Sequence, residues 1–183
     1  MPYGSLYAEE RHRGEMNNIF RFIIIVVACS ILIRSFIMQS TVVNGESMEP
    51  TLHTGDRLLV AKAENYERSD IVIFQATEED WYVKRIIGLP GDTVYIIHNQ
   101  LYVNGEPMEE SYLKKDYLHD WPSVNYVYPH RIPPEHYFVL GDNRLNSTDS
   151  REFGLIHKDL IGGRALVKYW PLQSMQNLVS SKR

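Results

Sequence analysis

Residues 81–92 read Trp-Tyr-Val-Lys-Arg-Ile-Ile-Gly-Leu-Pro-Gly-Asp, a run rich in β-branched and aromatic side chains that ends in a proline–glycine turn. This composition predicts a strand over Trp81–Ile87 followed by a tight turn. Because successive strand residues face opposite sides, Lys84 and Arg85 lie on different faces, each among apolar neighbours. Partial burial lowers the pKa of a lysine, whereas an arginine keeps its proton. Lys84 is therefore a candidate general base. The alternative interpretation is a cation that protects the edge of a strand from aggregation.

Similar short runs, separated by turn residues, continue on both sides of this stretch. The predicted strands are Arg57–Lys62, Ile71–Gln75, Trp81–Ile87, Thr93–Ile97, Gln100–Val103, Tyr137–Leu140 and Ala165–Tyr169. They indicate a mainly β domain over residues 39–172. Within it, residues 106–134 are rich in tyrosine, proline and charge and are interpreted as an insertion or cap. Residues 173–183 are interpreted as a polar tail that is ordered only in part.

The chain has 183 residues and a formal net charge of -4, which suits one catalytic domain with an appendage. This charge argues against nucleic-acid binding, which requires a basic surface that neutralises phosphates. Cys29 is the one cysteine, and it lies in the most apolar stretch. The sequence therefore predicts neither an intrachain disulfide nor a thiolate metal cluster.

That apolar stretch, Ile19–Met38, would be about 30 Å long as a helix, which matches the hydrocarbon thickness of a bilayer. Arg21 and Arg34 lie near its ends, where long side chains reach the headgroups. The short uncharged centre also suits a buried helix or a signal-peptide core, but no small-x-small cleavage site follows. We therefore expect a single retained transmembrane anchor. Arginines concentrate before the span, which predicts a cytoplasmic segment 1–18 and an extracytoplasmic domain at the plasma membrane.

Residues 44–52 read Asn-Gly-Glu-Ser-Met-Glu-Pro-Thr-Leu and place Ser47 in a turn between glycine and proline. A turn exposes the hydroxyl and lets nearby amides point into open space as hydrogen-bond donors, which suits a nucleophile. Taken alone, the pattern is more typical of an ordinary turn serine or a helix-capping serine.

Residues 141–154 read Gly-Asp-Asn-Arg-Leu-Asn-Ser-Thr-Asp-Ser-Arg-Glu-Phe-Gly, a loop whose polar side chains can bond one another around a site. A surface loop of Asx turns is the alternative interpretation. A calcium loop built on Asp142, Asn146 and Asp149 fails the EF-hand spacing, so no metal site is expected.

Taken together, residues 44–52, 82–92 and 141–154 follow an amino-terminal anchor in the same order as the sequence boxes of bacterial type I signal peptidases, which they resemble. Residues 69–74, Ser-Asp-Ile-Val-Ile-Phe, resemble a further strand box of that family. The short chain is similar to the compact Gram-positive forms. The resemblance implies an antiparallel β catalytic domain and a serine endopeptidase with a Ser/Lys dyad.

The resemblance implies that Ser47 is the nucleophile, that Lys84 is the general base and that Ser147 orients the lysine amine. The supporting ion-pair and hydrogen-bond residues that it implies are Arg85, Asp142, Asp149 and Arg151. The pocket residues that it implies are Val43, Met48, Tyr82 and Val83. Gly45 stands where some members carry a serine that completes the oxyanion hole. Backbone amides, including that of Ser47, are therefore expected to hold the oxyanion here.

The implied reaction is cleavage of signal peptides from exported preproteins after small-x-small sites. It proceeds through an acyl-enzyme and requires no metal or cofactor. The implied partners are those signal peptides, membrane lipid and the secretion translocon, and no nucleic acid is expected.

Three other functions stay open at this point. A Ser-His-Asp hydrolase could use His53, although the chain has no Gly-x-Ser-x-Gly elbow. Self-cleaving repressors also use a Ser-Lys dyad, which this chain resembles. Such proteins are cytosolic and bind DNA, so the predicted anchor argues against this function. A catalytically silent extracytoplasmic β module that binds secretion partners requires neither Ser47 nor Lys84.

Overall fold

The computed structural model describes residues 18–28, 39–113 and 125–179. The chain divides into two compact units, Met1–Met38 and Gln39–Arg183. In the first unit, residues 18–28 form helix α1, whose side chains are exposed. Among the described residues, no helix combines the length and the apolar character needed to cross a bilayer. Residues 29–38 of the predicted anchor lie outside the described residues, so the anchor stays a prediction.

The second unit consists almost entirely of strands joined by short turns. Its strands are β1 (Gln39–Val42), β2 (Arg57–Ala61), β3 (Ile71–Gln75), β4 (Trp81–Gly88), β5 (Val94–Ile97), β6 (Gln100–Val103), β7 (Glu106–Pro107), β8 (Tyr126–Val127), β9 (His136–Leu140), β10 (Ile156–His157), β11 (Ile161–Trp170) and β12 (Gln176–Asn177). The described residues of this unit also include a short helix, α2 (Ser150–Phe153), and two 3-10 turns, Lys158–Leu160 and Leu172–Ser174.

The strands form two antiparallel sheets. The larger sheet has eight strands in the order β1-β2-β11-β3-β4-β9-β10, with β12 pairing the end of β11. The smaller sheet has four strands in the order β7-β6-β5-β8. The predicted mainly β, antiparallel fold class is therefore confirmed.

All seven predicted strands are present, and the largest difference in their bounds is at the start of β11. That strand begins at Ile161 rather than Ala165, because it includes Gly162 and Gly163, which have low β-propensity. A Cβ atom at Gly162 would lie 2.6 Å from the Trp81 ring, and one at Gly163 would lie 2.7 Å from the Ala61 carbonyl oxygen. The two glycines let neighbouring strands approach closely, so they belong inside the sheet.

The region interpreted as an insertion joins the smaller sheet at both of its borders. Glu106 and Pro107 pair with β6, and Tyr126 and Val127 pair with β5. Residues 114–124 lie outside the described residues. No alternation of apolar and polar residues marks these two strands, because strands of two residues are too short to show any.

The described residues form three apolar core clusters, and one of them lies beneath the predicted nucleophile. It joins Val43, Met48 and Leu52 of the loop after β1 to apolar side chains of β2, β3 and β11. Leu178 of the predicted polar tail is buried in the same cluster, and its amide donates to the Leu166 carbonyl at 2.9 Å. The tail is therefore packed against the domain as far as this residue, and residues 180–183 lie outside the described residues.

Candidate active site

The loop that carries Ser47 is a turn fixed by buried apolar side chains. The Glu49 amide donates to the Glu46 carbonyl at 3.1 Å, and the Leu52 amide donates to the Met48 carbonyl at 2.9 Å. Met48 and Leu52 are fully buried, whereas Ser47, which directly precedes Met48, is partly exposed. The turn thus presents the Ser47 hydroxyl above a rigid base.

Lys84, in the middle of strand β4, reaches this hydroxyl. Its Nζ donates a hydrogen bond to Ser47 Oγ at 2.7 Å, although 37 residues separate the two along the chain. Lys84 is only 3% exposed. The amine also lies 5.2 Å from the centre of the Tyr82 ring, on the same face of the strand. A hydroxyl and an amine at this distance form the contact that a nucleophile and its base require.

Burial changes the acidity of the Lys84 amine. It lowers the pKa from 10.5 to about 8, while the carboxylates of Asp149 and Asp142 act to raise it and Arg151 acts to lower it. Burial is the largest of these effects. A substantial fraction of the amine is therefore neutral in mildly alkaline solution and free to accept a proton.

Arg85, on the opposite face of β4, forms a buried ion pair with Asp142. Its Nε and Nη2 donate to the two carboxylate oxygens at 2.8 and 2.6 Å. The Thr51 hydroxyl donates to the same carboxylate at 2.6 Å, and Arg85 Nη1 donates to the Ser69 carbonyl at 2.9 Å. Although burial acts in the other direction, the Asp142 carboxylate raises the pKa of Arg85. This ion pair connects the Ser47 loop, strand β4 and the polar loop 141–154.

A second buried ion pair, between Asp149 and Arg151, organises the polar loop itself. Arg151 donates through Nε and Nη2 to Asp149 at 2.8 Å each. Asp149 Oδ2 also accepts from the Gly141 amide at 3.0 Å and from the Ser147 hydroxyl at 2.8 Å. Gly141 is tightly enclosed, since a Cβ atom there would overlap Ser147 and lie 2.5 Å from the Ser47 carbonyl oxygen. The loop therefore packs directly against the nucleophile turn.

Ser147 lies in this network but is not hydrogen-bonded to Lys84 in the described part of the chain. Its hydroxyl donates instead to Asp149, whose charge acts on the lysine. The predicted contact between Ser147 and the amine therefore stays a prediction, and the observed connection between them runs through Asp149.

Backbone amides near Ser47 differ in their availability. Gly45 has a φ of 96°, a conformation that glycine adopts readily, and its amide donates to the Thr54 hydroxyl at 3.1 Å. The Ser47 carbonyl accepts from the Asn143 amide at 3.0 Å. Within the described ranges no acceptor is recorded for the Ser47 amide, so that N–H group remains available to a ligand.

The predicted pocket residues divide between two environments. Val43 and Met48 are buried in the core cluster beneath the turn, and Val83 packs against that cluster. Tyr82 lies on the other face of β4, where its ring meets Phe74 edge-on with centroids 6.2 Å apart. They therefore line different faces of β4.

A gap lies beside the first half of β4. Strand β9 pairs with β4 only from Arg85 onward, so in the described part of the chain residues 81–84 have a strand partner on the β3 side alone. Among the described strands, β1 pairs with β2 alone. A cavity of about 310 Å³ extends across several strands of this sheet, and its lining residues are Gln39, Ser40, Thr41, Val60, Ile73, Trp81 and Gly162. The two free strand edges can accept an extended peptide.

Three residues that the sequence did not mark lie near the Arg85–Asp142 pair: Glu110 and Arg144, which are buried, and Tyr112, which is partly buried. Glu110 forms a buried ion pair with Arg144, and Arg144 Nε donates to the Gly141 carbonyl at 2.8 Å. The Tyr112 ring covers the Arg85 guanidinium, 3.9 Å from its central carbon. Glu110 and Tyr112 fall in the segment interpreted as an insertion, where no strand or motif signal marked them.

Metal and histidine chemistry find no support in the described residues. No three histidine, cysteine or acidic side chains there converge in a way that could hold a metal ion. His53 is exposed, and its backbone amide donates to Asp56 at 2.9 Å. The described hydrogen bonds include none between the His53 ring and Ser47.

The known proteins that this chain is similar to are signal peptidases. A family model described as signal peptidase, peptidase S26, matches residues 16–170. A signal peptidase I of Bacillus amyloliquefaciens is 42% identical over 163 residues, which cover 84% of this chain and 88% of the relative. Signal peptidase I T of Bacillus subtilis is 43% identical over 164 residues, with 84% and 85% covered. A crystal structure of a signal peptidase I from Enterococcus faecalis is 32% identical, with a TM-score of 0.50, and covers 55% of this chain and 97% of its own.

Proposed function

Because the chain belongs to the signal peptidases of family S26, we propose that Ser47 and Lys84 are the catalytic pair with which it cleaves signal peptides from exported preproteins. The observation that carries the proposal is the 2.7 Å contact between Ser47 Oγ and a lysine amine that is almost completely buried. The chain is thus a serine endopeptidase with a lysine in the position of the general base.

The proposed reaction requires the amine to be neutral before attack. Lys84 Nζ accepts the Ser47 proton as Oγ attacks the carbonyl carbon at the cleavage site, and the tetrahedral intermediate develops a negative oxygen. The resulting ammonium then protonates the departing amine, which leaves an acyl-enzyme ester on Ser47. Water, activated by the neutral Lys84 amine, attacks the ester and releases the signal peptide. The free Ser47 amide is suited to stabilise the negative oxygen in both halves of the reaction.

The substrate would lie extended in the gap between β1 and the first half of β4, adding a strand to the sheet. In an extended peptide, the first and third side chains before the cut point to the same side, and the second points away. We propose that these two side chains enter the cavity lined by Val60, Ile73 and Trp81, and that this cavity accepts only small ones. This arrangement supports specificity for small-x-small sites.

The proposed location of the reaction is the outer surface of the plasma membrane. Ser47 follows Met38, the end of the apolar stretch, by nine residues, a reach of at most about 30 Å. An anchor over residues 19–38 would therefore keep the catalytic pair close to the lipid surface, where a translocated signal peptide ends. Membrane lipid and the secretion translocon are the partners that this location implies.

The specificity can be tested with a precursor that carries an Ala-x-Ala site. Replacing the last alanine before the cut by phenylalanine is expected to lower kcat/KM at least about 100-fold, because the side chain no longer fits the pocket. Phenylalanine at the middle position is the matched control and is expected to be tolerated. Mass spectrometry of the product establishes the cleaved bond. Equal losses at the two positions would contradict the proposed binding mode.

The pH dependence tests the state of the lysine. Since burial lowers the pKa of Lys84 to about 8, kcat/KM is expected to rise about tenfold per pH unit below that value and to level off above it. Rates measured between pH 6 and 10 with a neutral substrate would define this rising part of the pH profile, its acid limb. A flat profile across pH 8 would remove Lys84 from the role of general base.

A further inference from the structure

The segment Met108–Leu113, which we call the capping segment, leaves strand β7 and packs against the polar residues behind the catalytic pair. Leu113 is buried in it, and Glu110 is only 9% exposed. The Met108 amide donates to the Leu101 carbonyl at 2.8 Å, and the Leu113 amide donates to the Glu110 carbonyl at 2.9 Å. The segment therefore has a defined path between the smaller sheet and the polar loop 141–154.

The capping segment places an aromatic ring on a buried guanidinium. The centre of the Tyr112 ring lies 3.9 Å from the central carbon of Arg85. An aromatic face at this distance attracts a guanidinium and fixes the plane in which it lies. The plane matters because Arg85 holds Asp142 through two parallel hydrogen bonds, which a rotated guanidinium cannot form.

The Tyr112 hydroxyl forms contacts of its own, separate from the contact of the ring with Arg85. That hydroxyl donates to Glu110 at 2.6 Å and lies 3.3 Å from the guanidinium of Arg144. Burial, assisted by the charge of Glu110, raises the pKa of Tyr112 well above 10.0, so the phenol stays neutral. Arg144 connects this group to the Gly141 carbonyl, next to the nucleophile turn.

We propose that Tyr112 is a positioning residue of the active site, which acts through Arg85 and Asp142 on the Lys84 amine. The inference deepens the proposed function, because it rests on Lys84 being the general base. It makes the cap, which the sequence marks only as an insertion, part of the catalytic apparatus.

The position of the Arg85 guanidinium determines how far the negative charge of Asp142 is neutralised. The charged groups that act on Lys84 are Asp149, Asp142 and Arg151, and both carboxylates favour the ammonium. Arg85 offsets the charge of Asp142 as long as its guanidinium stays in register with the carboxylate. Without the ring above it, Arg85 loses that register and Asp142 acts more strongly on Lys84. The lysine then keeps its proton to higher pH, and less of the neutral base is present at pH 7.

The test compares the pH profile of kcat/KM for the full chain in detergent with those of three variants at position 112. Tyr112→Leu and Tyr112→Met remove the aromatic face, and Tyr112→Phe keeps the ring but loses the hydroxyl. For the first two, the acid limb is expected to move up by about half to one pH unit. Activity at pH 7 would fall about three- to tenfold and recover toward pH 10. Tyr112→Phe is expected to keep the wild-type limb.

Tyr102→Leu, which removes a tyrosine from the Tyr95–Tyr102 stack of the smaller sheet, is the matched control. A uniform loss of activity at all pH values in Tyr112→Leu and Tyr112→Met would overturn the inference, as would an equal shift in Tyr112→Phe. Either result, obtained while the wild type keeps its acid limb, leaves the proposed function intact. A wild type without that limb would overturn the proposed function and this inference together.

Discussion

Ser47→Ala and Lys84→Met are each expected to lower the cleavage of an Ala-x-Ala precursor by about 10⁴-fold or more, and the double variant is expected to be no slower than either. The reason is that the two side chains act as a unit. The hydroxyl is a weak nucleophile unless a base takes its proton, and the buried amine has no other described hydrogen-bond partner than Ser47. Single-turnover rates of the detergent-solubilised chain with a labelled precursor measure the effect.

Lys84→Met also provides a test of folding that separates lost chemistry from lost structure. Lowering the pKa of Lys84 from 10.5 to about 8 corresponds to a cost of about 3 kcal/mol for burying the charged amine. This penalty is fully present below pH 8 and disappears as the pH rises toward 10.5. At pH 7 the methionine variant is therefore expected to unfold at higher denaturant concentration than the wild type.

Three results would contradict this account of the pair. Cleavage that persists in either single variant would assign the reaction to other residues. Multiplicative losses in the double variant would mean that Ser47 and Lys84 act independently. A methionine variant that is inactive and also less stable at pH 7 would mean that the amine stabilises the fold, against the cost expected for its burial.

The long strands could be predicted from the sequence because each one carries its own signal. Strands of four or more residues with apolar alternation, such as Ile71–Gln75, need no knowledge of their partners. Strand β1 gave no such signal, because Gln39–Val42 is mostly polar and exposed, and only its pairing with β2 makes it a strand. The two-residue strands depend on their partners in the same way. Local pattern therefore predicts the centre of the sheets but not their margins.

The prediction of the candidate site has the same limit, because local sequence patterns do not show which distant side chains meet. Ser47 and Lys84 became candidates through the family resemblance of residues 44–52 and 82–92, because the local patterns alone, a turn and a strand, are equally typical of residues without a catalytic role. The hydrogen-bond partner of Ser147 could not be predicted, since a serine hydroxyl can bond an amine or a carboxylate equally well, and it bonds Asp149 here. The capping segment left no local signal. Glu110 and Arg144 are separated by 34 residues, and only the folded chain brings the two charges together.

Asp142→Ala is expected to lower the free energy of unfolding by about 3–5 kcal/mol, because it leaves the buried Arg85 guanidinium without its partner. Asp142 is 1% exposed and accepts three hydrogen bonds, two from Arg85 and one from Thr51. Urea unfolding followed by tryptophan fluorescence measures the loss. Replacing both charges, with Arg85→Met and Asp142→Leu, is expected to recover most of the stability, since a buried ion pair often contributes little relative to apolar side chains of similar volume.

Asp159→Asn is the matched control at an exposed ion pair, because the Asp159 side chain is 89% exposed beside His157. This substitution is expected to change the free energy of unfolding by less than about 0.5 kcal/mol. Measuring both stability and cleavage in the apolar double variant separates the effect of the Arg85–Asp142 pair on the fold from its effect on the reaction. The apolar double variant should remain folded yet cleave slowly, because Asp142 no longer connects Thr51 of the Ser47 loop with strand β4. A double variant that is both stable and fully active would show that the pair is needed for neither. An Asp142→Ala variant that loses less than about 1 kcal/mol would show that water reaches the guanidinium, in contradiction to its observed burial.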